Sequence, residues 1–187
     1  MRLKMARMAP VGGRVEQLDT KILGIDPGLN ITGYGVVEIT RQGPRLCEAG
    51  VVRGRSRGSL TARVCEIHTG ISEVIKALDP DVVALEELYS HYKQPRTAIL
   101  MGHARGVICL AAGQANLVVH HYAATQIKRI MTGNGRAPKK QVQLGVGREL
   151  GLSELPEPSD VSDALAIALC HFYLTREQGG IVQEKTP

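Results

Sequence analysis

Lys21-Ile-Leu-Gly-Ile-Asp26 narrows the choice of fold more than any other segment: an almost wholly apolar run ends in a carboxylate and is broken at once by Pro27-Gly28. Such a run reads as a buried strand, and the Pro-Gly pair as the turn that stops it. Gly33-Tyr-Gly-Val-Val-Glu-Ile39 predicts a second strand and Arg45 to Val52 a third, with turns short enough for an antiparallel meander. From Leu60 to Leu78 the apolar residues recur in steps of four and three (Leu60, Val64, Ile67, Ile71, Val74, Ile75, Leu78), the spacing of an amphipathic helix. Pro80 ends it, and Val82-Val-Ala-Leu85 is a short strand running into Glu86-Glu87. A helix from about Arg96 to Ala115, a strand at Leu117 to His120, a helix from Ala123 to Met131 and another after Pro138 follow. The last helix starts near Ser159 and fades before the polar tail after Arg176. A helix joining two strands implies parallel pairing with a right-handed crossover. The expected fold class is α/β: a five-stranded mixed sheet, three strands antiparallel plus two parallel, flanked by helices on both faces.

Composition sets the limits. With 187 residues, 43% of them hydrophobic and 22% charged, the chain is expected to form one globular domain over residues 21–175. Residues 1–20 carry no sustained periodicity and read as a disordered extension, and residues 176–187 as a flexible tail. No apolar run approaches the roughly 20 residues needed to cross a bilayer, and the basic start lacks the apolar segment of a secretory signal. Cys47, Cys65, Cys109 and Cys170 form no CxxC pair and read as reduced thiols of a cytoplasmic protein, not as a zinc site or disulfide framework. A net charge of +5 suits a polyanionic partner without deciding the matter. Trp is absent and Phe occurs once, which excludes broad aromatic platforms for single strands.

The carboxylates carry the chemistry. Asp26 and Glu86 each end an apolar strand, and in open α/β sheets sites form beyond the carboxyl ends of strands. Alternation sends Glu86 and Glu87 to opposite sides, so only one of them faces such a site. Taken singly, Asp26 reads more readily as a turn-starting residue and Glu86 as a solvated strand end. Asp160 and Asp163 lie three apart in the first turn of the last helix, hence on one face. Ser159 caps that helix and acids suit its N-terminus, by about 0.3–1 kcal/mol. Yet Asp160, Asp163, Ala164, Ile167 and His171 share one inward stripe, where a carboxylate is costly unless neutralised. Four acids at the ends of three elements suit a hard cation with oxygen ligands, Mg²⁺ in the first place and Mn²⁺ as a substitute. Two such ions, about 4 Å apart, are suited to phosphodiester hydrolysis.

Several ordered motifs resemble the RuvC family of Holliday junction resolvases. Ile22-Leu-Gly-Ile-Asp-Pro-Gly28 with Thr32-Gly-Tyr-Gly35 is similar to its first strand and hairpin, and Ala84-Leu-Glu-Glu-Leu-Tyr89 to the segment with its second acid. Gly102-His-Ala-Arg-Gly106, Tyr122-Ala-Ala-Thr-Gln-Ile-Lys128, Lys139-Lys-Gln-Val-Gln143 and Asp160-Val-Ser-Asp-Ala-Leu-Ala-Ile-Ala168 follow in family order. The resemblance covers about Lys21 to Tyr173. It implies an RNase H-like fold and a homodimer that nicks two strands of a four-way junction symmetrically, leaving 5′-phosphate and 3′-hydroxyl ends. It makes Asp26, Glu86, Asp160 and Asp163 the metal-binding catalytic acids and Mg²⁺ the cofactor. It also implies cooperation with a branch-migration motor of the RuvA/RuvB kind. Tyr89 stands where the family has an aromatic residue, often Phe, against junction bases. Lys128 and Lys139 match positions that approach the DNA backbone.

Lys139 and Lys140 follow Pro138 in the first turn of a helix, where cations oppose the dipole and a bound phosphate would remove the conflict. Lys93 and Arg96, after Glu86, are further DNA-binding candidates; the basic loop Arg53, Arg55 and Arg57 is as readily a solvated loop. His103 and His171 read as packing or hydrogen-bonding residues, not as general bases. Gly102, Ala104 and Gly106 permit close helix approach, between subunits or within the chain. Three rival readings stay open. A nuclease of another RNase H-like branch, acting on RNA or other DNA structures, would keep the acids. A sugar-kinase or actin-like ATPase would share Gly24-Ile-Asp-Pro-Gly28 but needs a second lobe. A junction-binding module without catalysis has no use for four acids.

Overall fold

The apolar run is strand β1 (Thr20–Asp26), in the middle of the sheet. The computed structural model describes residues 20–54, 58–88 and 95–181, with side chains as far as Arg176 and Pro95 by its backbone alone. β2 (Ile31–Thr40) and β3 (Gly43–Arg53) complete an antiparallel meander. Helix α1 (Leu60–Leu78) leads to β4 (Val82–Glu86), and α2 (Pro95–Gln114) leads to β5 (Val118–Tyr122). Both strands pair in parallel, giving the sheet order β3-β2-β1-β4-β5. Then come α3 (Ala124–Thr132), α4 (Lys139–Glu149) and α5 (Ser159–Ile181). The five-stranded mixed sheet expected from sequence is the one observed.

Alternation along the strands separates two cores. Leu23, Ile25, Val36, Val83 and Leu85 face α1 and α2, where Ile67, Ile71, Ile75, Ala104 and Ile108 meet them. Ile22, Val37, Ile39, Val82 and Ala84 face α3, α4 and α5. Burying each such Val, Leu or Ile side chain stabilises the fold by about 1.5–3 kcal/mol. Helix α1 has the predicted bounds: the Ser59 hydroxyl accepts from the Ala62 N–H at 3.2 Å, and Asp79, at φ 48°, closes its C-terminus.

The differences from the predicted elements are local. β5 continues to Tyr122 because its parallel ladder to β4 runs on to the pair Glu86↔Tyr122. Helical backbone continues past residue 175 to Ile181. Among the described residues no helix is long and apolar enough to cross a membrane.

Candidate active site

Helix α5 decides where the acids meet, and two glycines decide where α5 lies. A Cβ built on Gly24 of β1 would stand 2.1 Å from the Ala164 carbonyl oxygen, and one on Gly33 of β2 would stand 2.1 Å from that of Asp160. No side chain fits either gap, so the helix backbone rests directly on the strands. From Val161 to Phe172 every residue of α5 except Asp163 is buried, as befits a helix that is apolar on all sides. Because Gly33 is the register partner of Asp26, the contact sets Asp160 above the end of β1. Asp163 follows one turn on.

The second acid comes from parallel register. Gly24 pairs with Ala84 and Ile25 with Leu85, so Asp26 and Glu86 end adjacent strands side by side. Alternation puts both on the α5 face with Ile22, Val82 and Ala84. Glu87, past the strand end, is exposed. Glu86, Asp163, Lys128 and Lys139 line a cleft of about 220 Å³ floored by Ala124, Ile127, Val142, Ala166 and Ile167.

The electrostatics reflect four acids sharing little water. Burial, then the charges of Glu86, Asp163 and Asp160, push the Asp26 carboxyl up to about 8. Glu86 is raised by burial and by Asp163, against Lys128, Arg105 and a hydrogen bond with Asp26. Asp163 is raised by burial although Lys139 bonds to it. Lys139 Nζ and Asp163 Oδ2 stand 2.5 Å apart. For Lys139 itself, burial alone would lower the pKa, but the bond to Asp163 and the charges of Asp163, Asp160 and Asp26 outweigh it. The cation at the start of α4 is thus offset by an acid of α5, where the sequence suggested a phosphate. Among the described residues no three His, Cys, Asp or Glu side chains form a ready ligand sphere. Asp163 is turned to Lys139, and the carboxylates repel one another. The donor set nevertheless fits a hard divalent cation, being all oxygen, half-buried and with more acids than cations around it.

The remaining candidates lie around this centre. Lys128 is half-buried in the cleft wall, and Lys140 is exposed beside Lys139. Arg96 is exposed in the first turn of α2, and Arg53 at the end of β3. Tyr89, Lys93, Arg55 and Arg57 lie outside the described residues. His171 is buried, with its Nδ1 2.6 Å from the Tyr122 hydroxyl; burial and His120 push its pKa down to about 4, in keeping with a packing and hydrogen-bonding role. His103 Nδ1 donates to the Ile99 carbonyl at 2.7 Å. The sequence reading passed over Arg105, whose guanidinium Nη2 donates to His121 Nδ1 at 3.0 Å and whose charge acts on Glu86. A signal was available: Arg105 is the only Lys, Arg, Asp or Glu between Arg96 and Lys128.

Acids presented at the carboxyl edge of β1 and β4, beneath a helix laid flat across β1 and β2, place the protein among RNase H-like nucleases. The family model described as "Crossover junction endodeoxyribonuclease RuvC" matches residues 22–171. A Rhodopirellula baltica protein of that description is 61% identical over 155 residues, covering 82% of this chain and 86% of the relative. The solved structure of Thermus thermophilus RuvC in complex with Holliday junction substrate is 38% identical, with a TM-score of 0.80 over 85% of this chain and 96% of that one. The yeast mitochondrial Holliday junction resolvase Ydc2 shares the fold at 10% identity, with a TM-score of 0.59 over 86% of each chain. The chain belongs to the RuvC family of crossover junction endodeoxyribonucleases.

Proposed function

We propose that this protein resolves Holliday junctions in DNA recombination and repair, nicking two strands symmetrically by Mg²⁺-dependent hydrolysis, with Asp26, Glu86, Asp160 and Asp163 as the metal-holding acids. The observation that carries the reading is that Glu86 of β4 and Asp163 of α5 line one cleft with Lys128 and Lys139, with Asp26 ending β1 beside Glu86. Family membership and the junction-bound relative favour a four-way junction over an RNA–DNA hybrid. Asp26, Glu86, Asp160 and Asp163 would hold the Mg²⁺, which would supply positive charge to activate an attacking water and to stabilise the leaving 3′ oxygen.

The chain's own groups do the rest. Partial burial leaves the acids less water than a surface carboxylate has, so their charges act more strongly on a cation they hold. Lys128 and Lys139 project into the cleft and neutralise a DNA phosphate there. Lys139 is ion-paired to Asp163 in this structure and is the cation within reach to change partner. Lys140 and Arg96, both exposed, contact the backbone further out; by the family resemblance Tyr89 meets junction bases, and Lys93 is a further backbone contact. An attack in line with the leaving 3′ oxygen gives the ligatable 5′-phosphate and 3′-hydroxyl ends.

Symmetric nicking needs two sites, and α2 offers a surface for a second copy. Ile99 is 61% and Leu110 52% exposed on its outer side, and a Cβ on Gly106 or Gly113 between and beyond them would meet nothing in this chain. Large exposed apolar side chains along such a stripe favour a homodimer. Cooperation with a RuvA/RuvB-type motor follows from the family reading. The test is cleavage of a four-way junction, a duplex and an RNA–DNA hybrid of the same sequence in Mg²⁺, Mn²⁺ or chelator. Paired nicks in the junction alone, with metal alone, are expected; equal cutting of duplex or hybrid contradicts the assignment.

A further inference from the structure

A helix that rests on two glycines can still pivot about them. Gly33 and Gly24 seat the first turns of α5 on β2 and β1, but Glu86 ends β4, on the other side of β1 in the order β3-β2-β1-β4-β5. A small swing of α5 across the sheet would carry Asp163 toward or away from Glu86 while both glycine contacts held. That angle has to be fixed farther along the helix.

The second fixed point is on β5. His171 lies eleven residues beyond Asp160, about 16 Å along the helix axis. Its Nδ1 stands 2.6 Å from the Tyr122 hydroxyl, the two rings meet edge-on at 5.9 Å, and His120 stacks on the same imidazole at 4.8 Å. Tyr122 and His171 are both buried, so the bond cannot be exchanged for water without opening the core. Burial pushes the Tyr122 hydroxyl up to about 12 and, with His120, keeps His171 neutral, so the hydroxyl donates and Nδ1 accepts.

Tyr122 also holds the strand that carries the second acid. It is the register partner of Glu86, and its carbonyl accepts from the Glu87 N–H at 2.9 Å. Its backbone therefore grips the end of β4 while its side chain grips α5. On the helix, Asp163, Ile167 and His171 recur every fourth residue along one side, so the group that reaches β5 and the group that reaches the cleft share a stripe.

We propose that Tyr122 and His171 are positioning residues for metal binding and cleavage: their hydrogen bond pins α5 to β5 and so holds Asp163 at a fixed distance from Glu86. The proposal rests on the reading of Glu86 and Asp163 as metal-holding acids. Glu86→Gln and Asp163→Asn are therefore the controls. Wild-type Mn²⁺ affinity and cutting by both would overturn the reading of the site itself, whatever the pin does.

The experiment measures Mn²⁺ binding without DNA, by the paramagnetic resonance signal of free Mn²⁺, beside thermal melting and single-turnover cutting of a four-way junction at saturating protein. Tyr122→Phe keeps the ring and its packing and removes only the hydroxyl. It is expected to bind Mn²⁺ about 10-fold more weakly, the low end of what losing a support behind a metal ligand costs. Cutting is expected to slow about 10- to 100-fold, with junction affinity in chelator within about twofold. This variant leaves His171 Nδ1 buried without a donor, so a lower Tm is expected from the structural role alone. The double variant Tyr122→Phe with His171→Leu separates the two roles. With both partners apolar, Tm is expected to return toward wild type while Mn²⁺ affinity and rate stay as low as in the single variant. Recovery of affinity and rate together with Tm overturns the proposal, as does wild-type Mn²⁺ affinity in Tyr122→Phe. Should Tyr122→Phe not fold, the double variant, which has no unpartnered Nδ1 to bury, carries the test alone.

Discussion

On one side of the sheet, glycines at 24 and 33 bring the backbone of α5 against β1 and β2; on the other, Leu23, Ile25, Val36, Val83 and Leu85 hold α1 and α2 a full side-chain layer away. The first arrangement tolerates almost no adjustment, because backbone meets backbone. The second interlocks flexible apolar side chains and leaves the outer face of α2 open. The four acids all belong to the rigid side. The difference teaches that this fold spends its closest packing where charges must be held together against their repulsion, and leaves its looser face for scaffold and partner.

The largest effects should come from the acids. Asp26→Asn, Glu86→Gln and Asp163→Asn are each expected to lower junction cutting in Mg²⁺ by roughly 10³-fold or more, with binding retained. Full activity of any one variant in a quantitative nicking assay removes that residue from the site. Next comes the close approach itself. Gly33→Ala places a methyl against the Asp160 carbonyl, and a cost of about 1–3 kcal/mol in denaturant unfolding is expected, with cutting lost along with the seating of α5. A well-folded, fully active Gly33→Ala protein would break the contrast between the two faces.

A smaller effect concerns pH. In the metal-free fold Asp26 keeps its proton up to about 8, against an ordinary 3.8. Between those values the folded chain binds more protons than the unfolded chain, so stability from this group falls as pH rises. It is fully present below pH 3.8 and gone above about 8. Glu86 and Asp163, also raised, act with the same sign. Metal-free Asp26→Asn should therefore lose less Tm than wild type between pH 5 and 8, by about 5 °C. Parallel melting curves for the two proteins would show that the acids are not crowded. At the small end, Lys139→Ala should lessen the salt dependence of junction binding by about one counterion. On the looser face, Gly113→Ala, whose methyl meets nothing in the chain, should raise stability by about 0.5 kcal/mol.

Much of this was legible in the sequence where a single element carries the signal. The steps of α1 gave its bounds, Pro27-Gly28 ended β1 where it ends, and alternation separated Glu86 from Glu87 without saying which faces the site. What escaped depends on neighbours remote in the chain. Gly24 and Gly33 were visible as a motif, but nothing in a string of residues says that α5 lies over them. The helix-dipole conflict at Lys139 was read correctly, while its resolution by Asp163, 24 positions later, is tertiary. The strand expected to end at His120 runs on, because ladder pairing with β4 continues to Tyr122. Arg105 stands within a quoted motif with no task given, because its contact with His121 arises only when α2 packs beside β5.

The central claim is that acids from β1, β4 and α5 hold divalent metal in one place. Crystals of the protein soaked in Mn²⁺ test it most directly, by anomalous scattering at the manganese edge. The account predicts a peak at about 2.0–2.2 Å from carboxylate oxygens of Asp26 and at least one of Glu86, Asp160 and Asp163, with Lys139 moved off Asp163. Manganese bound away from Asp26, in crystals of a protein that still cuts junctions in Mn²⁺, would contradict it.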